Sequence, residues 1–179
     1  RMAEMVIGEK ISLEDLGGAR MHCEVSGCGD MLCKDEKEAI EACRTYLSYM
    51  PTRALEAPPS APPRAPKAGK PIDDIIPAKE NAAFDMYDFI HAVVDEGSFF
   101  DVKKRYAKEI ITGFARIEGR AVGIVANQPK FLGGVLFVNS ADKGARFINL
   151  CDAFGIPLVF LADVPGFMIG SKVEKEGII

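Results

Sequence analysis

The sequence predicts an α/β fold with a mixed, largely buried sheet, and three observations within residues 110–170 support this prediction. First, four runs there are apolar at consecutive positions, which is typical of strands that are covered on both faces. Second, a segment with helical periodicity separates two of the runs and indicates a right-handed parallel crossover. Third, glycine-rich loops follow the runs, and folds of this class bind ligands in such loops.

Length, composition and charge exclude several classes of protein. The chain has 179 residues, 48% of them hydrophobic, so a sizeable core is possible. A formal net charge of −4 argues against nucleic-acid binding. No run approaches the roughly 18 apolar residues of a membrane span. The sequence begins at Arg1 without a signal peptide and stops at Ile179 without a polar tail, so we expect an internal piece of a longer polypeptide.

The first 33 residues are rich in glycine and have little regular periodicity. Gly17, Gly18 and Ala19 form either a turn or a place where the backbone approaches a ligand closely. His22 has no carboxylate at a spacing that would orient it, so we interpret it as structural and not as a catalytic base.

A helix is predicted over residues 35–50. Asp35 and Glu38 are spaced as a capping box, and Pro51 follows the last turn. The predicted buried stripe consists of Ala39, Ile40, Cys43, Leu47 and Met50.

The cysteine pattern favours reduced thiols in an intracellular compartment. The five cysteines are Cys23, Cys28, Cys33, Cys43 and Cys151. Their spacings of five and ten residues fit zinc ligands poorly, because zinc knuckles place paired ligands about two to four residues apart. A metal site and disulfides remain the less favoured alternatives.

Residues 51–71 contain seven prolines and five alanines and little that could be buried. This composition predicts a semi-extended linker. A proline-rich recognition motif is the alternative, although the segment lacks an aromatic partner. We therefore divide the chain into residues 1–50, a linker over 51–71, and a second domain part over 72–179.

The second part opens with a predicted helix that presents Met86, Phe89, Ile90 and Val93 on one face and is capped by Gly97. His91 lies off this stripe and is predicted to face solvent. A loop or short strand follows over 98–105. Its basic cluster, Lys103 to Arg105, is interpreted as a solvated face, with an anionic ligand such as phosphate as the alternative.

The predicted sheet and its crossover follow. Ile110–Glu118 and Ala121–Ala126 are expected to pair as an antiparallel hairpin around Gly119. A third run covers 135–138 and a fourth covers 157–162. Between these runs Ser140 is predicted to cap a helix that Gly155 closes. Its sheet-facing residues are predicted to be Ala145, Ile148, Cys151 and Phe154.

The candidate chemical groups in this sequence are backbone amides and not titrating side chains. The sequence contains no nucleophile elbow, zinc-protease motif, phosphate-binding loop or dinucleotide fingerprint, and neither of its two histidines lies in 110–170. Gly133-Gly134 and the stretch 163–167 (DVPGF) instead allow amide N–H groups to converge on an oxyanion. Ordinary turns would explain the same glycines, so both interpretations stay open at this point.

Three stretches carry a resemblance to one enzyme family. They read EDLGGARMHCEVSG (14–27), GSFFDVKKRYAKEIITGFARIEGR (97–120) and NQPKFLGGVLFVNSADKGARFINLCDAFGIPLVFLADVPGFMIG (127–170). They resemble the carboxyltransferase β subunits of biotin-dependent acyl-CoA carboxylases, the propionyl-, acetyl- and methylcrotonyl-CoA enzymes, and the related methylmalonyl-CoA decarboxylase α subunit. The resemblance implies a crotonase (ClpP)-like spiral of ββα units, with the end of a first domain and the start of a second.

The resemblance also implies a reaction. In this family a carboxyl group passes from biotin N1 to the α-carbon of an acyl-CoA through an enolate, and backbone oxyanion holes stabilise the charge. Biotin is carried by a partner, so the implied partners are a biotin carboxylase or biotin carrier subunit, acyl-CoA and further copies of the chain, as a hexamer. No metal, nucleic acid or membrane span is implied, and the location would be cytoplasmic, or the mitochondrial matrix in a eukaryote.

The resemblance assigns roles to particular residues. The implied carboxybiotin pocket consists of Gly133, Gly134, Val164, Pro165, Gly166, Phe167 and Gly170, and the acyl-CoA side of Gly17, Gly18 and Ala19. Both oxyanion loops of the family are expected outside residues 1–179, so no catalytic residue is assigned. We expect the isolated piece to be inert and the parent protein to be an enzyme.

Three alternatives stay open. A biotin-dependent decarboxylase uses the same half-reaction in reverse. Another crotonase-type enzyme, a hydratase or isomerase, would place catalytic carboxylates in the glycine-rich loops. A non-enzymatic scaffold on the same fold is the third. The acyl chain length is not predicted.

Overall fold

The computed structural model describes residues 2–53, 55–79 and 82–178. Arg1 and Ile179, on which the expectation about the chain ends was based, lie outside the described residues. The helices are α1 (Met2–Ile7), α2 (Leu13–Gly17), α3 (Ala19–Glu24), α4 (Glu36–Leu47), α5 (Ile72–Ile75), α6 (Met86–Val93), α7 (Val138–Ala153) and α8 (Ser171–Lys175). The strands are β1 (Phe100–Val102), β2 (Ile110–Ile117), β3 (Arg120–Asn127) and β4 (Leu158–Leu161).

Within the described ranges the strands form one mixed sheet in the order β1-β2-β3-β4. The predicted hairpin is confirmed: β2 and β3 pair antiparallel, with Ile110 opposite Asn127 and Ile117 opposite Arg120. Strand β3 pairs parallel with β4, and α7 forms the crossover between them. The carboxyl ends of β3 and β4 therefore lie at the same edge of the sheet.

Both faces of the sheet are covered, as the consecutive apolar runs predicted. One face packs Phe114 and Val125 against Phe147 and Cys151 of α7 and against Tyr49 after α4. The other face packs Ile111 and Ile124 against α6, whose buried residues are Met86 and Ile90.

The third predicted strand is wrong. Residues 135–138 contribute a single parallel bridge between Leu136 and Phe167, and Val138 already belongs to α7. The helix cap predicted at Ser140 is also wrong, because Phe137 is the N-cap and Ser140 lies in the first turn. There the Ser140 hydroxyl accepts a hydrogen bond of 2.6 Å from the Phe137 amide.

The predicted sheet-facing side of α7 is rotated from the observed one. The buried residues are Ser140, Lys143, Gly144, Phe147 and Cys151. Of the predicted set, Cys151 is buried and Ile148 packs at the margin of the core, whereas Ala145 and Phe154 are exposed. Gly155 follows the helix with a φ of 63°, as predicted for its close.

Helix α4 begins as predicted, since the Asp35 carboxylate accepts the amide of Glu38 at 2.8 Å. It ends at Leu47, before the predicted boundary, and most of its predicted stripe is not buried: Ile40 and Leu47 are 53% and 62% exposed. Tyr46 and Tyr49 pack on the core instead. The predicted cap at Gly97 is wrong as well, because α6 ends at Val93 with Val94 as C-cap.

Residues 51–71, apart from the undescribed Ala54, form no helix or strand, in line with their proline content, and a turn closes where the amide of Glu56 donates to the carbonyl of Arg53 at 3.4 Å. They run along the tip of the β2–β3 hairpin, where the amide of Ala61 donates to the carbonyl of Gly119 at 2.9 Å. The division into two domain parts around this segment stays a prediction.

Candidate functional site

The candidate site lies at the carboxyl edge of β3 and β4, where two loops meet. One loop runs from Asn127 through Gly134, and the other runs from Ala162 through Gly170. The amide of Leu136 donates to the carbonyl of Gly166 at 3.1 Å, and the amide of Met168 donates to the carbonyl of Leu136 at 2.8 Å. The two glycine-containing loops that the sequence singled out are thus joined side by side.

The backbone at Gly133 and Gly134 favours glycine. Both residues have positive φ, 64° and 75°, in a short 3₁₀ turn over Leu132–Gly134. A Cβ on Gly134 would lie 3.1 Å from the carbonyl oxygen of Asp163, in the neighbouring loop. Gly134 is buried and lies against the second loop, whereas Gly133 is exposed on the adjacent surface.

Asn127 fixes this turn from the end of β3. Its side-chain amide donates to the carbonyl of Gly134 at 3.1 Å, and the residue is only 8% exposed. The side chain therefore satisfies a carbonyl that would otherwise be buried without a partner.

The second loop presents free backbone donors beside apolar side chains. The amides of Val164, Gly166 and Phe167 donate to no acceptor among the described residues. The side chains of Val164 and Phe167 are 42% and 50% exposed. Unpaired amides on a loop can stabilise a developing oxyanion, and the apolar side chains can cover a ring.

Extended glycine conformations shape this loop. Gly166 and Gly170 have φ values of 140° and 143°, a region that L side chains rarely adopt. Pro165 precedes the first of them and is exposed. All seven predicted carboxybiotin-pocket residues therefore lie within these two adjoining loops, although their role is untested.

A polar cluster anchors the first loop to the start of α6. Gln128 is 1% exposed, and its side chain accepts the Met86 amide at 3.2 Å and donates to Asp85 at 2.8 Å. Lys130 donates to the other oxygen of Asp85 at 2.9 Å. Burial acts to raise the pKa of Asp85, but the hydrogen bonds from Lys130, Gln128 and Tyr87 prevail and lower it.

Two hollows flank the end of β4. The larger, about 700 Å³, lies on the α6 side and is lined by Met86, Phe89, Phe160 and Asp163 among others. The smaller, about 320 Å³, lies on the α7 side and includes Asn127, Leu136 and Phe167. Both volumes are in the range of small-molecule sites, so the loops border space that a ligand could enter.

The predicted acyl-CoA-side residues lie elsewhere, at the junction of α2 and α3. Gly18 caps both helices, since its amide donates to Glu14 and its carbonyl accepts the amide of His22. Gly17 and Ala19 are exposed beside it. These bonds stay within the N-terminal segment, so the structure explains the glycines as a helix junction and leaves their ligand role a prediction.

The basic cluster at 103–105 is not a uniformly solvated face. Lys103 is 5% exposed and forms an ion pair of 2.7 Å with Asp30, whereas Lys104 and Arg105 are exposed. Arg105 pairs with Glu24 at 2.7 Å. The cluster thus attaches residues 24–30 to the part of the chain from α6 to β4 (residues 86–161), which we call the sheet domain.

The cysteines give no metal site in the described part of the chain, where no group of three or more His, Cys, Asp or Glu side chains is arranged for a metal ion. All five are free thiols, with Cys23 and Cys151 buried. Across the same residues, no helix has the length and hydropathy to cross a membrane.

Sequence reasoning missed the polar residues that hold the loops. Asn127, Gln128 and Asp85 were not predicted as site residues. Polar side chains directly after a buried strand would have been a signal for the first two. No local signal identifies Asp85, which reaches the loop only through the tertiary packing of α6.

Comparison with known proteins finds relatives that match almost the whole chain. The chain is 62% identical over 180 residues to an uncharacterised carboxylase, YngE, of Bacillus subtilis. It is 42% identical over 180 residues to the human mitochondrial propionyl-CoA carboxylase β chain, and 39% identical over 188 residues to the methylmalonyl-CoA decarboxylase α subunit of Propionigenium modestum. It covers 33–35% of these relatives, which in turn match 99–100% of the chain.

A solved structure extends the match to three dimensions. The transcarboxylase 12S hexamer with methylmalonyl-coenzyme A bound superposes with a TM-score of 0.93 at 39% identity, over 99% of this chain and 35% of its own. The predicted crotonase-like fold is confirmed by this likeness. A family model described as the carboxyl transferase domain matches residues 1–179. The chain therefore belongs to the carboxyl transferase domain family.

Proposed function

We propose that the parent protein transfers a carboxyl group between carboxybiotin and the α-carbon of an acyl-CoA. The observation that carries this proposal is the pair of adjoining loops at the carboxyl edge of β3 and β4, with three unpaired amides and no histidine. Enolate chemistry needs such backbone donors more than it needs a titrating side chain. The family match over the whole chain supports the same reaction.

The loop residues fit the biotin ring system. Carboxybiotin supplies the carboxyl group that is transferred. Val164 and Phe167 offer exposed apolar surface for the fused rings, and the amides of Gly166 and Phe167 offer donors that would supplement the oxyanion loops expected outside this chain. The two backbone hydrogen bonds between Leu136 and the second loop hold the two loops together, so these groups keep a fixed spacing.

Partners and assembly follow from the same proposal. The chain covers about a third of its relatives, so the oxyanion loops and most of the acyl-CoA site belong to the rest of the parent protein. Biotin would be delivered by a separate carrier domain or subunit. The transcarboxylase 12S assembles as a hexamer, and we propose a hexamer here. The location would be the cytoplasm, or the mitochondrial matrix in a eukaryote.

A decarboxylase is the second candidate, because a methylmalonyl-CoA decarboxylase α subunit is 39% identical over the whole chain. The half-reaction at the loops is the same in both enzymes. What differs is the coupling: a carboxylase draws its carboxybiotin from an ATP-dependent partner, whereas a decarboxylase does not.

The test uses the purified full-length parent protein with methylmalonyl-CoA and free biotin. The carboxyl group should move from the substrate α-carbon to biotin N1, while N1 gives up its proton, the α-carbon takes up a proton, and propionyl-CoA forms. We expect propionyl-CoA release that depends on biotin. Release without biotin dependence, or hydration of an enoyl-CoA in its place, would contradict the proposal.

Direction is tested separately. Co-expression with the biotin carboxylase and carrier subunits should give ATP-dependent incorporation of labelled bicarbonate into propionyl-CoA. Biotin-dependent decarboxylation without any such incorporation would favour the decarboxylase candidate.

A further inference from the structure

One part of the proline- and alanine-rich segment, residues 59–66, is hydrogen-bonded to the hairpin tip and to residues 95–96. We call residues 59–66 the strap. Besides the bond from Ala61 to Gly119, the carbonyl of Ala65 accepts the amide of Glu96 at 3.2 Å, and Pro66 forms a bridge with Asp95. The strap therefore forms tertiary hydrogen bonds, which a flexible linker lacks.

Beside the strap, the Asp95 carboxylate accepts hydrogen bonds from three backbone amides. These are the amides of Glu118 at 2.9 Å, Gly119 at 2.8 Å and Arg64 at 3.3 Å, and Asp95 is 4% exposed. A buried carboxylate is stable only when it is hydrogen-bonded in this way. One side chain thus joins the hairpin tip to the strap.

Arg116 forms a second group of hydrogen bonds that includes the strap. Its guanidinium donates to the carbonyls of Pro59 at 2.7 Å, Ser48 at 2.8 Å and Gly119 at 3.2 Å. It also lies 4.9 Å from the centre of the Tyr49 ring. Because Ser48 is the C-cap of α4, one side chain holds that helix, the strap and the hairpin together.

Gly119 makes the close approach possible. Its φ is 77°, and a Cβ at this position would collide with the carbonyl oxygen of Ala61. A hairpin turn alone explains the positive φ, but the absence of a side chain is also what admits the strap.

We propose that Asp95 and Arg116 are positioning residues that lock the strap, so that the segment before it and the sheet domain after it form one rigid body. The hydrogen bonds alone support the lock. Its consequence for catalysis rests on the proposed function, because a rigid subunit keeps its carboxybiotin loops at a fixed place in the assembly, and carboxyl transfer needs both substrates at a fixed separation.

Hydrogen exchange of the full-length protein tests the lock directly. The strap has four backbone amides, at Ser60, Ala61, Arg64 and Ala65, since its other residues are prolines. Those of Ala61 and Arg64 are hydrogen-bonded, whereas those of Ser60 and Ala65 donate to no acceptor among the described residues. We expect two of the four amides to exchange at least tenfold more slowly than the other two.

Variants test whether Asp95 and Arg116 cause the protection of the strap amides. Asp95→Asn and Arg116→Met should each raise exchange at the protected amides about tenfold or more. Arg120→Met is the matched control, because Arg120 is exposed on the same hairpin, and it should leave strap exchange unchanged. Exchange of all four amides at the unprotected rate in the wild-type protein would overturn the lock.

The positioning role has its own readout. Arg116→Met should lower kcat for carboxyl transfer about tenfold with unchanged KM for methylmalonyl-CoA, and Arg116→Lys should recover part of the loss. Loss of protection with full kcat would overturn the positioning role. If the wild-type protein transfers no carboxyl group, the proposed function is wrong. The hydrogen-exchange experiment still determines whether Asp95 and Arg116 lock the strap.

Discussion

Replacing Asn127 with alanine should loosen the Gly133-Gly134 turn without unfolding the sheet. Asn127 ends β3, and its side-chain amide is the donor to the Gly134 carbonyl at 3.1 Å. Alanine keeps the strand backbone and removes only that donor. The close approach of Gly134 to the carbonyl oxygen of Asp163 should then be held less firmly.

The magnitude follows from the burial of this pair. Asn127 is 8% exposed and Gly134 is buried, so water cannot fully replace the lost donor. An unpaired buried carbonyl costs about 1–3 kcal/mol. If the closed turn is destabilised by that amount relative to its locally opened state, exchange of its amides should rise roughly 5- to 150-fold, since about 1.4 kcal/mol corresponds to tenfold.

The assay is hydrogen exchange of the peptide covering 131–136, where the amides of Gly134 and Val135 are hydrogen-bonded within the turn. Asn139→Ala is the matched control, because Asn139 is exposed in the first turn of α7. Exchange in Asn127→Ala within twofold of the wild-type rate would refute the reasoning that this side chain holds the turn.

Three further predictions concern the core. Phe147→Ala should lower the free energy of unfolding by about 3–5 kcal/mol, because Phe147 is 3% exposed; chemical denaturation measures this. Gly123→Ala should cost about 1–3 kcal/mol, since the added Cβ lies 2.6 Å from the Cys151 sulfur, and Cys151→Ala should recover part of that cost. Burial lowers the pKa of Lys143 to about 8, so the unfolded state binds more protons between pH 8 and 10. Stability should therefore rise with pH in that window by up to about 3 kcal/mol relative to Lys143→Met, and equal pH slopes would contradict this.

The sheet could be predicted from the sequence because its signal is local. Two largely apolar runs, 110–117 and 121–126, separated by the polar turn 118–120, specify two covered strands and the turn between them. The helical segment correctly indicated a parallel crossover into β4, but the sequence placed the first strand of that crossover at 135–138, whereas the parallel partner of β4 is β3. Only the short run at 135–138 was wrongly assigned, because an apolar run of four does not distinguish a strand from a helix start.

The buried faces of the helices were harder to predict, because the spacing of apolar residues does not show which other element packs on them. Helix α4 exposes Ile40 and Leu47 and packs through Tyr46. Helix α7 turns Lys143 inward, where its amino group donates to the carbonyls of Tyr106, Ala107 and Ile110. A buried lysine that caps carbonyls of a distant loop has no signature in the helical pattern.

The site was predicted in part. The glycine pair and the stretch 163–167 could be found from composition, since positive φ and close approach leave few other residues possible. The structure brings them together, but it also adds Asn127 and Asp85, whose importance depends on tertiary contacts. The ligand role of Gly17 to Ala19 remains a prediction, because that junction is accounted for by helix capping.

The most direct test of the account is the steady-state response of the full-length protein to Phe167→Ala. Phe167 lies in the second loop, beside the unpaired amides, and is 50% exposed. Removing its ring should raise the KM for free biotin on the order of tenfold and leave the KM for methylmalonyl-CoA unchanged. Phe154→Ala, which removes an exposed ring at the far end of α7, is the control. An unchanged KM for biotin, or an equal rise in both constants, would contradict a carboxybiotin site at this loop.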